Sequence, residues 1–216
     1  MTDMHEAKMN RDVDTSSAIE GGAAIDPVWS TKTDAELVTA TRFIAHKERE
    51  ELHVVGVVGF SGQWSEEKIA SDPELRFKVK HARHQLEETL TELKERHGEK
   101  LVVSSGATME GVPKLVYEVC EELGIKAMGV ACEKAIDYRL GEMRYLLIEG
   151  SNWGDESLTF LRTSDELFMI GGGGQAKREV LAAASEGKKV TIFKNFGGTA
   201  DELTGFDIKG ATFVMS

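Results

Sequence analysis

The stretch that decides the fold is LFMIGGGG, residues 167–174. Its four apolar residues are typical of a strand that is buried on both faces, and they run directly into four consecutive glycines. Beyond the glycines, Ala176, Val180, Leu181 and Ala184 recur at helical spacing and predict one buried helix face. The stretch therefore predicts a strand, a tight turn and a helix in direct succession.

The four glycines need a physical reason, because glycine loses more conformational freedom on folding than any other residue. One explanation is that the backbone of the turn closely approaches a ligand. The start of a helix carries partial positive charge and N–H groups without intrahelical partners, which suits a phosphate or a carboxylate. The other explanation is a tight turn that binds nothing. We favour the ligand-binding interpretation.

The order of strand followed by helix recurs along the chain. Further apolar, mostly β-branched runs lie at residues 53–60, 101–104, 127–131 and 190–193. Amphipathic stretches at 79–93 and 112–123 lie between runs, and each ends at a glycine, Gly98 or Gly124. This alternation predicts an α/β fold with a doubly wound, mostly parallel, Rossmann-like sheet that has helices on both faces.

The N-terminal part of the chain has a different texture. Residues 1–32 are polar and without apolar periodicity, which predicts a flexible N-terminal arm. The spacing of Thr33 and Glu36 fits a capping box and predicts an N-terminal helix over 33–50. We expect residues 33–216 to form a single domain. Within this domain, the sequence of residues 137–157 has no clear period and predicts only a strand or a helix together with an exposed loop.

Composition excludes several classes of protein. Among 216 residues, 37 Asp and Glu outnumber 26 Lys and Arg, so the net charge is −11 and sequence-independent nucleic-acid binding is not expected. The absence of a long apolar window predicts no membrane partner, and the polar start does not resemble a secretion signal. Two cysteines, Cys120 and Cys132, are too few for a disulfide framework. We therefore expect a cytoplasmic protein with reduced thiols.

Three glycine-rich turns follow predicted strands. In an open parallel sheet, ligands lie beyond the carboxyl ends of the strands, so these turns are expected to meet at one site for a small phosphorylated molecule. The predicted ligand-binding residues are Gly59, Ser61, Gly62, Ser105, Gly106, Gly111, Gly171, Gly172, Gly173, Gly174 and Gln175. Gln175 is interpreted either as a donor to a ligand oxygen or as a helix cap. The turns fit neither the dinucleotide-binding fingerprint nor the P-loop, and the histidines at 81 and 84 lack a third ligand, so we predict no metal site.

The stretch from Thr163 to Gly173, followed by Glu179, resembles the SLOG superfamily. That group includes the Lonely Guy (LOG) phosphoribohydrolases, the proteins called lysine decarboxylase-like, and the molybdenum-cofactor carrier proteins. The resemblance covers about residues 53–195. It implies a Rossmann-like fold, a nucleotide or molybdopterin-type ligand, and a homodimer or higher homo-oligomer.

The chain departs from the hydrolase pattern at several positions. Gln175 and Ala176 stand where the family has Gly and Thr, and Glu156 and Ser157 stand where the hydrolases have an Arg-Lys pair. A carboxylate in place of a guanidinium repels a phosphate, which argues against hydrolase chemistry. The entry of three glycines without a proline, at residues 171–173, is similar to the carrier-type members rather than to the hydrolases. Glu179, the predicted catalytic residue if the chain is an enzyme, either orients a ribose hydroxyl or acts as a base; otherwise it is an ordinary carboxylate in the first turn of a helix.

Three functions remain open from the sequence. The first is a carrier or sensor that binds a nucleotide or a nucleotide-derived, phosphate-bearing molecule at the glycine-rich turns. The second is a phosphoribohydrolase of the LOG type that cleaves the N-glycosidic bond of a nucleoside monophosphate. The third is a non-catalytic protein-interaction module whose N-terminal arm engages a partner.

Overall fold

A computed structural model describes residues 27–215. These residues contain a single eight-stranded sheet in which every neighbouring pair of strands is parallel. The strands are β1 Glu36–Leu37, β2 His53–Gly59, β3 Leu101–Ser105, β4 Lys126–Ala131, β5 Tyr145–Ile148, β6 Glu166–Ile170, β7 Lys189–Phe193 and β8 Ala211–Val214.

Helices connect the strands. The α-helices of the described residues are α1 Pro27–Ser30, α2 Ala40–Glu50, α3 Glu66–Ser71, α4 Pro73–His97, α5 Gly111–Leu123, α6 Ser157–Thr163, α7 Gly174–Ser185 and α8 Gly198–Leu203. One hydrophobic cluster joins the sheet to α2, α6, α7 and α8, and a second joins the opposite face to α4 and α5. Because helices cover both faces, the central strands are apolar at almost every position.

The strand order is β1-β5-β4-β3-β2-β6-β7-β8. The chain builds the sheet outward in one direction from β2 to β5 and then in the other direction from β6 to β8. The order therefore reverses between the neighbouring strands β2 and β6, and in such sheets a crevice opens at that point beyond the carboxyl ends of the strands. The predicted doubly wound α/β class is confirmed.

The helix predicted over 33–50 begins later than expected. Glu36 and Leu37 pair with Tyr145 and Leu146 at the edge of the sheet, so they are not available to a helix. Helix α2 instead begins at Ala40, where the hydroxyl of Thr39 accepts a hydrogen bond from the N–H of Arg42 at 3.4 Å. The expected capping box is wrong because Glu36, its second member, pairs with Tyr145 in the sheet. The helix ends at Glu50, as predicted.

The predicted arm over 1–32 lies mostly outside the described residues. Its last part, residues 27–32, contains the single-turn helix α1. Trp29 of that helix is only 7% exposed and belongs to a hydrophobic cluster with Ala107, Ala131 and Leu146. This end of the predicted arm is therefore packed against the β5 side of the sheet, because a large apolar ring gains from burial.

The stretch over 137–157 contains strand β5 and the loop that leads to α6. Arg144 precedes the strand and its N–H donates to Ala127, which sets the strand beside β4. Among residues 27–215, no helix is long and apolar enough to cross a membrane.

Candidate functional site

A cavity of about 330 Å³ lies at the carboxyl edge of the sheet, at the point where the strand order reverses. Residues at the ends of β2, β3 and β4 and at the start of α7 line it. Seven of the eleven predicted ligand-binding residues line this cavity: Gly59, Ser61, Ser105, Gly106, Gly173, Gly174 and Gln175. Glu179 lines it as well. Gly62, Gly111, Gly171 and Gly172 do not belong to the lining and have other positions in the turns.

The start of α7 offers backbone donors to the cavity. Gly174 is the first residue of this helix, and the N–H of Lys177 donates to the carbonyl of Gly173 at 3.1 Å. Within the described chain, no acceptor takes the N–H groups of Gly173, Gly174 or Gln175. Free N–H groups at a helix start attract an anion because they are donors and carry the positive end of the helix dipole.

The consecutive glycines 171–174 do not all have the same reason to be glycine. Gly171 has φ +64°, and a Cβ there would collide with the ring of Phe60; Gly172 has φ +94°, and a Cβ would lie 2.8 Å from the Cβ of Ala176. Glycine at these positions is explained by the fold alone. Gly173 has φ −106° and open space around a Cβ, and no structural demand for glycine is apparent there. Gly173 therefore fits a close approach by a ligand.

Phe60 connects two of the turns. Its ring stands where a Cβ of Gly171 would be and equally where a Cβ of Gly198 would be, at the start of α8. The N–H groups of Thr199 and Ala200 donate to the carbonyls of Gly172 and Gly171, respectively. The glycine-rich turn after β6 is thus fixed by Phe60, in the turn after β2, and by α8.

Two buried carboxylates line the cavity. Glu156 and Glu179 are each 6% exposed, and both accept a hydrogen bond at 3.0 Å from the side-chain nitrogen of Gln175. The hydroxyl of Ser157 donates to Oε1 of Glu179 at 2.6 Å. The side-chain amide of Gln175 is thus neither a helix cap nor free for a ligand, because it donates to the two carboxylates. Glu156 and Ser157 are noted in the sequence only as a departure from the family pattern; Glu156 lines the cavity, and Ser157 contacts it through Glu179.

Burial raises the pKa of Glu179, against the hydrogen bonds from Ser157 and Gln175, which lower it. The nearby charge of Glu156 raises it further, and Arg178 lowers it. The side chain therefore takes up a proton more readily than an ordinary glutamate does. A buried carboxylate of this kind suits either acid–base chemistry or hydrogen bonding to a ligand.

Hydroxyl groups at the site differ in their availability. Ser105 donates its hydroxyl proton to the carbonyl of Val57 at 2.9 Å, so the group is left to act as an acceptor. Among the described residues, the hydroxyl of Ser61 has no partner. No lysine or arginine belongs to the described lining, although Arg178 is exposed and one of its guanidinium nitrogens lies near Gly174. A ligand anion would consequently be held mainly by neutral donors.

Sequence reasoning also missed Trp153. This residue lines the cavity from the loop between β5 and α6 and is 46% exposed. The signal was the unusual combination of a tryptophan with Gly150 and Gly154 in one short polar loop.

Neither a protein-family model nor a curated protein sequence matches the chain. Solved structures do resemble it. The structural-genomics target TM1055 has a TM-score of 0.56 and 23% identity, covering 76% of this chain and 92% of its own. The molybdenum cofactor carrier protein of Chlamydomonas reinhardtii has a TM-score of 0.53 and 16% identity, covering 76% and 89%.

The molybdenum cofactor binding protein of the phototrophic bacterium Rippkaea orientalis is a further structural relative. It has a TM-score of 0.51 and 15% identity, covering 70% of this chain and 82% of its own. Likeness at these identities shows that the chain shares the Rossmann-like fold of these proteins.

Proposed function

We propose that the chain is a carrier or sensor of the SLOG type that binds a nucleotide or a nucleotide-derived, phosphate-bearing small molecule in this cavity. The observation that carries the proposal is the set of free N–H groups at Gly173, Gly174 and Gln175 beside a cavity at the reversal of strand order. Two of the structural relatives are described as molybdenum cofactor carrier or binding proteins. A molybdopterin-type ligand therefore belongs among the candidates.

The charges of the cavity support a carrier more than a phosphoribohydrolase. Glu156 occupies the position at which the resemblance would place an arginine, and its carboxylate is already engaged by Gln175 and by the N–H of Gly154. A phosphate in the cavity therefore lies near a carboxylate, and no arginine of the described lining stabilises a departing group.

Replacing Gly173 by alanine is expected to weaken ligand binding without weakening the fold. A Cβ at this position meets no protein atom within 4 Å, but it would occupy space beside the free N–H groups. We expect isothermal titration calorimetry with AMP, GMP, ribose 5-phosphate and molybdopterin to give binding tighter than millimolar for at least one compound. G173A should lose roughly tenfold or more of that affinity, equivalent to about 1.4 kcal/mol.

The matched control is Gly205→Ala, since Gly205 is exposed, equally open around its Cβ and outside the cavity lining. It should bind as the unchanged protein does. Absence of binding to every compound would overturn the proposal, as would equal affinities of G173A and G205A.

The buried Glu179 supports one alternative function. Its raised pKa and its position in the cavity suit a group that assists cleavage of an N-glycosidic bond. If the chain is a phosphoribohydrolase, incubation with AMP releases free adenine, and Glu179→Ala abolishes the release. We expect no release above the background of the Glu179→Ala variant. Release of adenine that depends on Glu179 would show that the chain is a phosphoribohydrolase and not a carrier.

A further inference from the structure

Trp153 differs from the other tryptophans of the chain. Trp29 and Trp64 are buried, at 7% and 3% exposure, and belong to hydrophobic clusters. Trp153 is 46% exposed, belongs to none of these clusters and lines the cavity. A large aromatic ring that contributes little to the core and borders a pocket is available to a ligand.

Hydrogen bonds hold the loop that carries Trp153. The N–H groups of Ser151 and Asn152 donate to one carboxylate oxygen of Asp155 at 3.0 and 2.9 Å, and the N–H of Asp155 returns a bond to the carbonyl of Asn152. The ammonium of Lys134 donates to the side chain of Asn152 at 3.0 Å. The backbone on both sides of Trp153 is therefore fixed.

The ring itself has one aromatic neighbour among the described residues. Tyr138 lies edge-on to Trp153, with ring centroids 5.6 Å apart and an interplanar angle of 78°. An edge-on contact supports the indole from one direction and does not cover both of its faces.

Glu156 lies three residues after Trp153 and borders the same cavity. Each oxygen of a carboxylate can accept more than one hydrogen bond, so Glu156 and the neighbouring Glu179 can take further donors from a ligand. In the described chain, no donor reaches Oε2 of Glu179. The cavity thus combines free backbone donors, carboxylate oxygens that can accept further hydrogen bonds, and an exposed aromatic face.

We propose that Trp153 is a specificity-determining residue that stacks on a planar heterocycle of the ligand, whose N–H groups are accepted by Glu156 and Glu179. The inference rests on the proposed function and adds the class of ligand: a phosphate-bearing molecule with a flat, amino-substituted ring. Guanine presents adjacent ring N–H and amino donors of this kind, and GMP is therefore a suitable probe. Ribose 5-phosphate has the same phosphate and sugar without the ring.

The test compares the affinities of GMP and ribose 5-phosphate by calorimetry. Stacking of one base on an aromatic side chain predicts that the unchanged protein binds GMP roughly 5- to 150-fold more tightly than ribose 5-phosphate. Trp153→Ala should lose most of this preference while keeping its affinity for ribose 5-phosphate. Trp153→Phe, which retains a smaller aromatic face, should keep part of the preference.

Two further readouts separate stacking from a general disturbance. GMP should quench tryptophan fluorescence in the unchanged protein and not in Trp153→Ala, because Trp29 and Trp64 are buried. Leu158→Ala removes a side chain that is 54% exposed and lies outside the cavity lining, and it should leave both affinities unchanged.

The outcomes distinguish the two proposals. If both probes bind equally well, or if Trp153→Ala keeps the preference for GMP, the role of Trp153 is overturned and the phosphate-binding function stands. If GMP, ribose 5-phosphate and the rest of the compound panel all fail to bind, the proposed function itself fails, and the role of Trp153 fails with it.

Discussion

Replacing Gly111 by alanine is expected to lower the free energy of unfolding by about 2–5 kcal/mol. Gly111 has φ +57°, which costs an L-residue roughly 1–2 kcal/mol. A Cβ there would also collide with the carbonyl oxygen of Phe60 and lie 2.5 Å from that of Ser61. Since these are backbone atoms, no rotamer change relieves the contact, and overpacking adds roughly 1–3 kcal/mol.

The collision would also disturb the start of α5. The N–H of Val112 donates to the carbonyl of Phe60 at 2.7 Å, so the turn after β2 and the first turn of α5 are directly joined. Urea unfolding followed by circular dichroism measures the loss, and the melting temperature should fall by roughly 4 °C or more. We expect this variant to lose ligand affinity indirectly, because Ser61 belongs to the displaced turn.

Gly62→Ala is the matched control. Gly62 belongs to the turn after β2, against which Gly111 packs. A Cβ at Gly62 meets nothing within 4 Å, and its φ is not positive. Its free energy of unfolding should stay within roughly 0.5 kcal/mol of the unchanged protein. Similar stabilities of the two variants would show that the close packing of Gly111 against residues 60 and 61 is incorrect.

Glu166→Gln is expected to remove a large part of the pH dependence of stability in acid. Glu166 is 5% exposed at the start of β6, and its carboxylate lies 2.9 Å from both the ring of His53 and the ammonium of Lys189. Burial alone would raise its pKa, but the hydrogen bonds from His53 and Lys189 outweigh burial and lower the pKa to about 2.

The direction of the effect follows from proton binding. Between pH 4.5 and 2 the unfolded chain protonates Glu166 while the folded chain does not, so the contribution of Glu166 to stability is lost as the pH falls. The contribution is on the order of 3 kcal/mol above pH 5. Urea unfolding at a series of pH values should show the two proteins converging toward pH 2.

Glu51→Gln is the control for an exposed ion pair. Glu51 pairs with Lys100 and is well exposed, and such pairs contribute little because solvent screens them. The stability of this variant should follow that of the unchanged protein at every pH. If the stability of E166Q also follows that of the unchanged protein at every pH, the ionised Glu166 does not stabilise the fold.

Much of the fold could be predicted from the sequence because it depends on local patterns. The five longest strands are apolar runs, and α4 and α5 end at Gly98 and Gly124, as expected. Strands β1, β5 and β8 have two to four residues, which is too short for a readable period. Their positions depend on pairing with neighbouring strands. Residues 36 and 37, for example, are predicted to be helical and instead pair with β5.

The site could be predicted only in part. Glycine-rich turns after strands indicated the correct edge of the sheet, since parallel strands bring their carboxyl ends together. Which glycines are required by the fold depends on φ and on neighbours from distant turns, such as Phe60 beside Gly171. The network of Gln175, Glu156 and Glu179 joins residues up to 23 positions apart, and no spacing rule relates them.

The ring of Phe60 has a consequence for how this sequence can evolve. It fills the space in front of Gly171 and of Gly198, which lie in separate turns. A side chain at either glycine becomes compatible with the fold only when residue 60 is smaller and the local backbone changes as well. Positions 60, 171 and 198 should therefore vary as a correlated set among relatives, and single changes at any one of them should be rare.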